Sequence, residues 1–236
     1  MSDNNTTRIN KFLSEAGVCS RRQADRYIDN GEVMINGQVA SMGDRVAEGD
    51  EVVFQGKVVT NTAPFVLLAY NKPTGIVCSA KEKDNIVDYI GYPERIYPIG
   101  RLDKDSEGLV LLTNQGELHN QISHARNCHE KEYEVMVDRT ITKEFLAQMR
   151  EGVPILDTIT RPCKVRKTSQ NTFTIILTQG LNRQIRRMCD ALGYRVRRLK
   201  RVRVMNIQLD DLKTGEYREI TGVELEQLMQ MLKEGK

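Results

Sequence analysis

The 236-residue sequence predicts an α+β protein in two domains, a small N-terminal one (residues 1–61) and a larger one (62–236) built on a mostly antiparallel mixed sheet with flanking helices. Three observations lead there. Short apolar runs recur along the chain, some alternating and some continuous, separated by turns rich in Gly, Asn and Pro. A few segments with the 3.6-residue period of a helix are interspersed among them. A polar stretch closed by proline, Gln55 to Pro64, reads as the linker between the two parts.

In the first part, Ile9, Phe12, Leu13 and Ala16 recur at i, i+3, i+4 and i+7 and make one face of a short helix that Gly17 ends. Ser20 followed by Gln23 is a capping-box signature for a second helix with Ala24, Tyr27 and Ile28 as its apolar stripe and Gly31 just past its end. Val33-Met34-Ile35 and Gln38-Val39-Ala40 flank Asn36-Gly37, the strongest short hairpin signal. A strand over Glu51–Phe54 follows. So few residues enclose no roomy pocket. Arg8, Lys11, Arg21, Arg22 and Arg26 gather on the two helices, where ordinary solvation of a helical face accounts for each taken singly.

The second part opens with a strand over Phe65–Tyr70, the turn Asn71-Lys72-Pro73-Thr74-Gly75, a strand over Ile76–Cys78 and a short helix over Asn85–Ile90. Ile96-Tyr97-Pro98-Ile99 then leads into Gly100–Asn114, GRLDKDSEGLVLLTN. Here a polar turn holding one arginine and three acids precedes four consecutive aliphatics, Leu109–Leu112, a strand buried on both faces. His119–Ser123 reads as helical. Lys131–Asp138 alternates Tyr133, Val135 and Val137 against Glu132, Glu134 and Met136, a half-buried strand. Thr142 caps a helix with Phe145, Leu146 and Met149 on its apolar side and Gly152 at its end. Lys164–Arg166 and Thr172–Thr178 form a hairpin. Leu181, Ile185, Met188, Cys189 and Leu192 recur at helical spacing up to Gly193, with Arg183, Arg186 and Arg187 on the other face. Closing strands follow over Arg195–Asn206, Gln208-Leu209 and Glu216–Ile220. Thr221 with Glu224 signals a capping box for a last helix.

The formal charge of +3 is modest, but its distribution is not even. Residues 1–60 hold seven basic and nine acidic side chains, whereas Arg183–Arg203 holds nine basic and one acidic, Asp190. A partner with many phosphates is the natural inference. Five scattered cysteines without a CxxC pair point to reduced thiols, not to a disulfide framework or zinc site, and no second Cys/His cluster joins His124, Cys128 and His129. No metal is expected. The N-terminal MSDNNTTRIN lacks the apolar core of a signal peptide, and no apolar run approaches the ~20 residues of a membrane span. A soluble cytoplasmic protein is expected, with no membrane partner, acting as a monomer.

Four features bear on chemistry: Asp103 in its arginine-flanked loop, Tyr133 at the start of a strand, the arginines at the first turns of the helix after Gly180, and the basic band Arg195–Arg203. Taken alone, Tyr133 reads as core and the arginines as a wet helix face. Together they fit one site. A carboxylate kept ionised by a guanidinium can serve as nucleophile or base, its pKa lowered by roughly 1–3 units for a close pair. An aromatic plane stacks on an unpaired base. A cationic rim receives phosphates. Asp105 and Glu107 offer the second carboxylate of a glycosidase, but no sugar-binding aromatics surround them and Trp is absent.

The segment RINKFLSEAGVCSRRQADRYIDNGEVMINGQVA resembles the S4 RNA-binding domain. GRLDKDSEGLVLLTN, with NKPTGIV before it, KEY after it and GLNRQIRRM further on, resembles the RsuA-type pseudouridine synthases, which isomerise uridine in RNA by breaking the glycosidic N–C bond and rejoining the base through carbon. Within that family, HEKEY, VPI and QGLNRQIRRM are most similar to a member acting on large-subunit (23S) ribosomal RNA. The resemblance implies that Asp103 is the catalytic aspartate, that Tyr133 packs on the target base and assists proton transfer, and that Arg186 pairs with the aspartate. It implies neither cofactor nor metal, since isomerisation needs no redox change. Its RNA partner would be held by the S4-like arginines and lysine, by Arg101 and Lys104, by Arg183 and Arg187, and by Arg198 and Arg201 of the basic band. Asp105 and Glu107 are left as bystanders. Whether Asp103 attacks ribose C1′, adds to the uracil ring or acts as a base stays open, as does transfer RNA as a further substrate. The rival reading is a non-catalytic RNA-binding factor of ribosome assembly.

Overall fold

The computed structural model describes residues 6–60, 64–79, 82–124 and 127–234. Chain contacts divide it into two compact units, one of Met1–Phe65 with Pro93–Arg95 and Asn114–Gly116, the other of the remainder. The boundary expected between residues 61 and 62 lies outside the described residues.

The first unit begins with β1 (Thr6–Arg8) and α1 (Ile9–Glu15), followed by α2 (Arg21–Asp29). The capping box is present at α2: Ser20 Oγ accepts from the Gln23 N–H at 3.2 Å, and Gln23 Oε1 accepts from the Ser20 N–H at 3.0 Å. The strands β2 (Val33–Ile35), β3 (Gln38–Val39), β4 (Arg45–Ala47), β5 (Val52–Phe54) and β6 (Lys57–Val59) complete it. They pair antiparallel in the order β3-β2-β5-β6, while β4 pairs with β1. Asn36 and Gly37 both take positive φ (50° and 78°), as a two-residue hairpin turn requires. Gln55 and Gly56 do the same (48° and 77°), so the stretch read as linker is in part a second hairpin carrying β6. Ile9, Leu13, Ala24, Ile28, Val33, Val46 and Val52 form the buried core.

The second unit is organised on a nine-stranded sheet. In chain order its elements are β7 (Leu67–Lys72), α3 (Ile86–Ile90), β8 (Tyr97–Ile99), β9 (Glu107–Thr113), α4 (Gly116–Ser123), β10 (Lys131–Val137) and α5 (Lys143–Glu151). A small hairpin, β11 (Pro154–Ile155) and β12 (Thr158–Ile159), precedes β13 (Lys164–Lys167), β14 (Thr172–Leu177) and α6 (Gln184–Ala191). The chain closes with β15 (Val196–Val204), β16 (Ile207–Gln208), β17 (Tyr217–Glu219) and α7 (Gly222–Glu234). The order is β13-β14-β10-β15-β9-β7-β17, with β8 on β9 and β16 on β15; β9–β15 is the parallel pair and the rest are antiparallel.

β9 lies near the middle and is buried on both faces. Val110 and Leu112 join the cluster that holds Phe145 of α5, Phe173 of β14 and Met188 of α6. Leu109 and Leu111 join the opposite cluster with Leu118 of α4 and Leu228 and Leu232 of α7. Two expectations fail here. Ile76–Cys78 is not a strand, since only an isolated bridge from Val77 to Asn85 forms. Glu224 does not serve a capping box, because both its carboxylate oxygens accept from the Arg218 guanidinium.

Candidate active site

The loop between β8 and β9 is held from below by apolar side chains and from within by its own backbone. Leu102 is buried, and its N–H donates to Cys78 Sγ at 3.4 Å. The Ser106 N–H donates to Asp103 O at 3.0 Å, and Ser106 is fully buried. The Gly75 N–H donates to Lys104 O at 2.7 Å, fastening the loop to the Asn71–Gly75 turn. With Leu102 turned inward, Asp103 faces a cavity of about 510 Å³. That volume falls within the range of small-ligand sites and suits one nucleotide. Tyr133, 9 % exposed, lines the same cavity from β10, and Arg101, Lys104 and Arg183 face it from the rim side. A smaller adjoining cavity of about 120 Å³ is shared by Asp103, Tyr133 and Arg183 and adds Arg186.

The arginines are placed by a turn, not by a helix face. Leu181–Arg183 precedes α6; Gln184, buried, accepts the Leu181 N–H on its side-chain oxygen at 3.1 Å. Arg183 sits at the N-cap with φ 50° and ψ 36°, the left-handed region that a non-glycine residue rarely occupies. This backbone sends its guanidinium across the Asp103 loop. Nη1 and Nη2 donate to Asp105 Oδ1 and Oδ2 at 3.1 and 3.0 Å, and Nη1 lies 3.7 Å from Asp103 Oδ2. Arg186 takes a different path. Its Nη2 donates to Asp105 O at 2.9 Å and to Ser106 Oγ at 3.1 Å, while its Nε approaches Asp105 Oδ2 at 3.4 Å as a charge contact without a hydrogen bond.

The partner expected for Asp103 was Arg186; the ion pair to Asp103 comes instead from Arg183, and Arg186 holds Asp105 and Ser106. The physical reason is the left-handed turn at Arg183, which breaks the helical spacing that put both arginines on one face. Asp105 is correspondingly no bystander. The hydrogen bonds from Arg183, aided by the charge of Arg186, hold its carboxyl below the usual carboxylate range. Glu107 is likewise paired, with Arg198. Because the Asp105 pKa is depressed in the fold, the stability it adds is present above the unfolded value near 3.8 and is lost as pH falls further through the folded one. Asp105→Asn is therefore expected to lower the urea midpoint at pH 7, by a difference that shrinks as the pH is taken below 3.8. The group is half exposed, so the pH 7 loss should be small, about 1 kcal/mol.

The remaining expected contacts divide. Arg8, Arg21, Arg22 and Arg26 are exposed, and Lys11 pairs with Glu15 at 3.6 Å. Arg101 and Lys104 are exposed at the cavity. Arg187 folds back onto Asn182, donating to its backbone oxygen at 3.0 Å. Arg201 departs from expectation: it is 3 % exposed, so it is no surface contact for a phosphate backbone, and it lines the cavity. Two lysines had been assigned no role. Lys72, fully buried, donates to the carbonyls of Pro73 and Ile76 at 2.8 Å, and burial lowers its pKa against the pull of nearby negative groups that include Asp103 and Asp105. Lys131 lines the cavity; burial, with the neighbouring Arg201 charge, brings its pKa down to about 8. The sequence places Lys72 in the turn after Tyr70, whereas β7 runs on to Lys72 and buries it. Among the described residues no group of three His, Cys, Asp or Glu side chains could hold a metal ion. Nor is any described helix long and apolar enough to cross a membrane.

Known proteins share both the sequence and the fold. Residues 66–191 match the family model described as RNA pseudouridylate synthase, and residues 7–52 match the S4 domain. The chain is 50 % identical to the dual-specificity RNA pseudouridine synthase RluF of Escherichia coli K12, over 98 % of this chain and 81 % of that protein. It is 37 % identical to the ribosomal large subunit pseudouridine synthase B of Bacillus subtilis, over 97 % of this chain and 98 % of the relative. A crystal structure of a pseudouridylate synthase superposes with a TM-score of 0.69 at 30 % identity, covering 95 % of this chain and 99 % of the other.

Proposed function

This chain belongs to the RNA pseudouridylate synthase family, and from that premise we propose how it works and on what. It is an RNA pseudouridine synthase of the RluF type, an isomerase, carrying an S4 domain. Its target is a uridine in 23S ribosomal RNA. Asp103 is the catalytic carboxylate, Tyr133 the plane on which the target base packs, and Arg183 the cation paired with Asp103; Arg186 holds the loop that carries it. The enzyme works in the cytoplasm as a monomer, with its S4 domain ending near residue 61.

One observation carries the reading: Asp103 and Tyr133 face a single nucleotide-sized cavity, with the Arg183 guanidinium 3.7 Å from the carboxylate. A uridine reaches such a cavity only when flipped out of the RNA, at a cost of a few kcal/mol that backbone contacts must offset. Arg101 and Lys104 at the rim, and Arg8, Arg21, Arg22 and Arg26 on the S4 domain, supply charge for those contacts. Isomerisation then breaks N1–C1′, turns the uracil, joins C5 to C1′ and releases the C5 proton.

The test uses ribosomal and transfer RNA transcripts carrying [5-³H]uridine. The expected result is tritium release from the large-subunit transcript, stoichiometric with one modified position. Release from transfer RNA alone would move the substrate assignment; release from neither would overturn it.

A further inference from the structure

We propose that Lys131, backed by Arg201, forms a cationic subsite for the uracil ring of the target nucleotide and neutralises the charge the base carries while detached from its ribose. The proposal rests on the reading of Asp103 and Tyr133 given above.

The strand pairing creates the subsite. Tyr133 lies opposite Arg201, and Glu132 opposite Arg203, so Val202 is an extra residue on β15. Such a bulge reverses which face the following side chains take. Arg201 therefore shares a face with Tyr133 and with Lys131, two residues before it, and all three line the Asp103 cavity. Arg203 falls on the other face.

The two faces are treated differently. Away from the cavity the cations are matched: Arg203 pairs with Glu130 at 3.0 Å and with Glu132 at 2.9 Å, and Lys164 pairs with Glu130 at 3.1 Å. On the cavity side, among the described residues, neither Lys131 nor Arg201 forms an ion pair. Lys131 Nζ has a long contact of 3.4 Å to His129 O. Arg201 Nε donates to Leu109 O at 2.6 Å, but its Nη2 is buried without a partner. Lys131, half-buried, and Arg201, buried, are neighbouring cations without a paired carboxylate; partial burial, and then the Arg201 charge, loosens the Lys131 proton. An anionic oxygen placed against Lys131 relieves that cost.

Depth selects the uracil over a phosphate. Asp103 and Arg183 stand at the rim, their side chains 36 % and 42 % exposed, whereas Arg201 is at 3 %. A flipped nucleotide sends its base inward and leaves its backbone outside. When N1–C1′ breaks, the bonding electron pair stays with uracil and spreads onto O2 and O4. An ammonium beside one of those oxygens stabilises that state more than the intact uridine, which is what lowers a barrier. The charge is discharged when C5 bonds to C1′, the C5 proton leaves and N1 takes up a proton. Arg201 acts from beneath, through its charge on Lys131.

Single-turnover tritium release from [5-³H]uridine RNA, with RNA affinity measured separately, tests this on Lys131→Met and Lys131→Arg. Lys131→Met is expected to lower the rate about 10²-fold with unchanged RNA affinity. Lys131→Arg is expected to keep most of the rate and to change its pH profile. In the wild type, the rate should fall as pH rises through about 8, where Lys131 loses its proton among Arg201 beside it and Asp103, Glu82, Arg101, Lys104 and Arg183 across the cavity; in Lys131→Arg this limb should vanish. A wild-type rate in Lys131→Met overturns the proposal. So does weakened RNA affinity at unchanged rate, which would assign the cations to a phosphate. Should Lys131→Met fold poorly, persistence of the alkaline limb in Lys131→Arg overturns it instead. Asp103→Asn run alongside keeps the premise separate: full activity there removes the reading of Asp103 whatever the Lys131 variants do.

Discussion

Asp103→Asn should leave RNA binding and folding intact and lower pseudouridine formation by about 10⁴-fold, the scale on which removal of a central catalytic group is felt. The substitution keeps the shape of the side chain and removes only its charge and basicity. Asp103 contributes nothing to the core, and the loop around it is fastened by Leu102, Ser106 and the Gly75–Lys104 hydrogen bond, none of which the asparagine disturbs. Tritium release from [5-³H]uridine RNA measures the loss; a rate equal to wild type would remove Asp103 from the chemistry. The same assay separates the two arginines. Arg183→Ala removes the cation 3.7 Å from Asp103 together with the ion pair to Asp105, and should slow turnover with a loss of stability no larger than that of Asp105→Asn. Arg186→Ala frees the Asp105 carbonyl and the buried Ser106 hydroxyl, so its cost should appear first as a lower melting temperature. The reverse pattern would return Arg186 to the role the family resemblance implies.

Gly108→Ala should be among the most damaging single changes to the second unit, costing about 3–5 kcal/mol. Gly108 follows the Asp103 loop on β9 at the point where β9 pairs in parallel with β15. Its φ is +104°, and a Cβ built there would stand 2.3 Å from the Arg201 carbonyl oxygen and 2.7 Å from the Arg201 nitrogen. Those atoms are backbone in a central strand and cannot step aside as a side-chain tip would. Gly100→Ala is the matched control, because Gly100 also has positive φ (+72°) but nothing within 4 Å of its Cβ position. That variant should pay only the left-handed backbone cost of about 1 kcal/mol. Thermal melts of the two variants decide the matter; equal losses would mean that backbone handedness, not the approach of β15, makes glycine necessary at 108. Since the same contact sets the spacing between Arg201 and the loop, Gly108→Ala should also lose activity below its melting temperature.

How much of this could be read beforehand follows from the range of each interaction. β9 was legible because four consecutive aliphatics leave no polar side to expose, and its two faces do enter two different cores. The alternation at Lys131–Val137 and the Asn36-Gly37 turn were legible for the same reason: period and turn chemistry are local. β6 was hidden because Gln55-Gly56 looks like linker until its two positive φ angles are seen. Arg183 was misplaced because the helical period of Ile185–Leu192 was extended backward through a residue whose backbone turns left-handed.

The sequence by itself determined the α+β class, the buried strand behind the Asp103 loop, the aromatic at the head of β10 and, through motif resemblance, the kind of enzyme. Only the tertiary structure decided which cation meets which carboxylate, and that Arg201 and Lys131 turn inward beside Tyr133. The partners of Arg183 are 78 residues or more away in the chain, and Arg201 takes its face from a one-residue bulge against a strand some 70 residues earlier. Local pattern carries no record of such pairings. They are settled when strands register against one another, and a shift of one residue exchanges a side chain that faces the substrate for one that faces water.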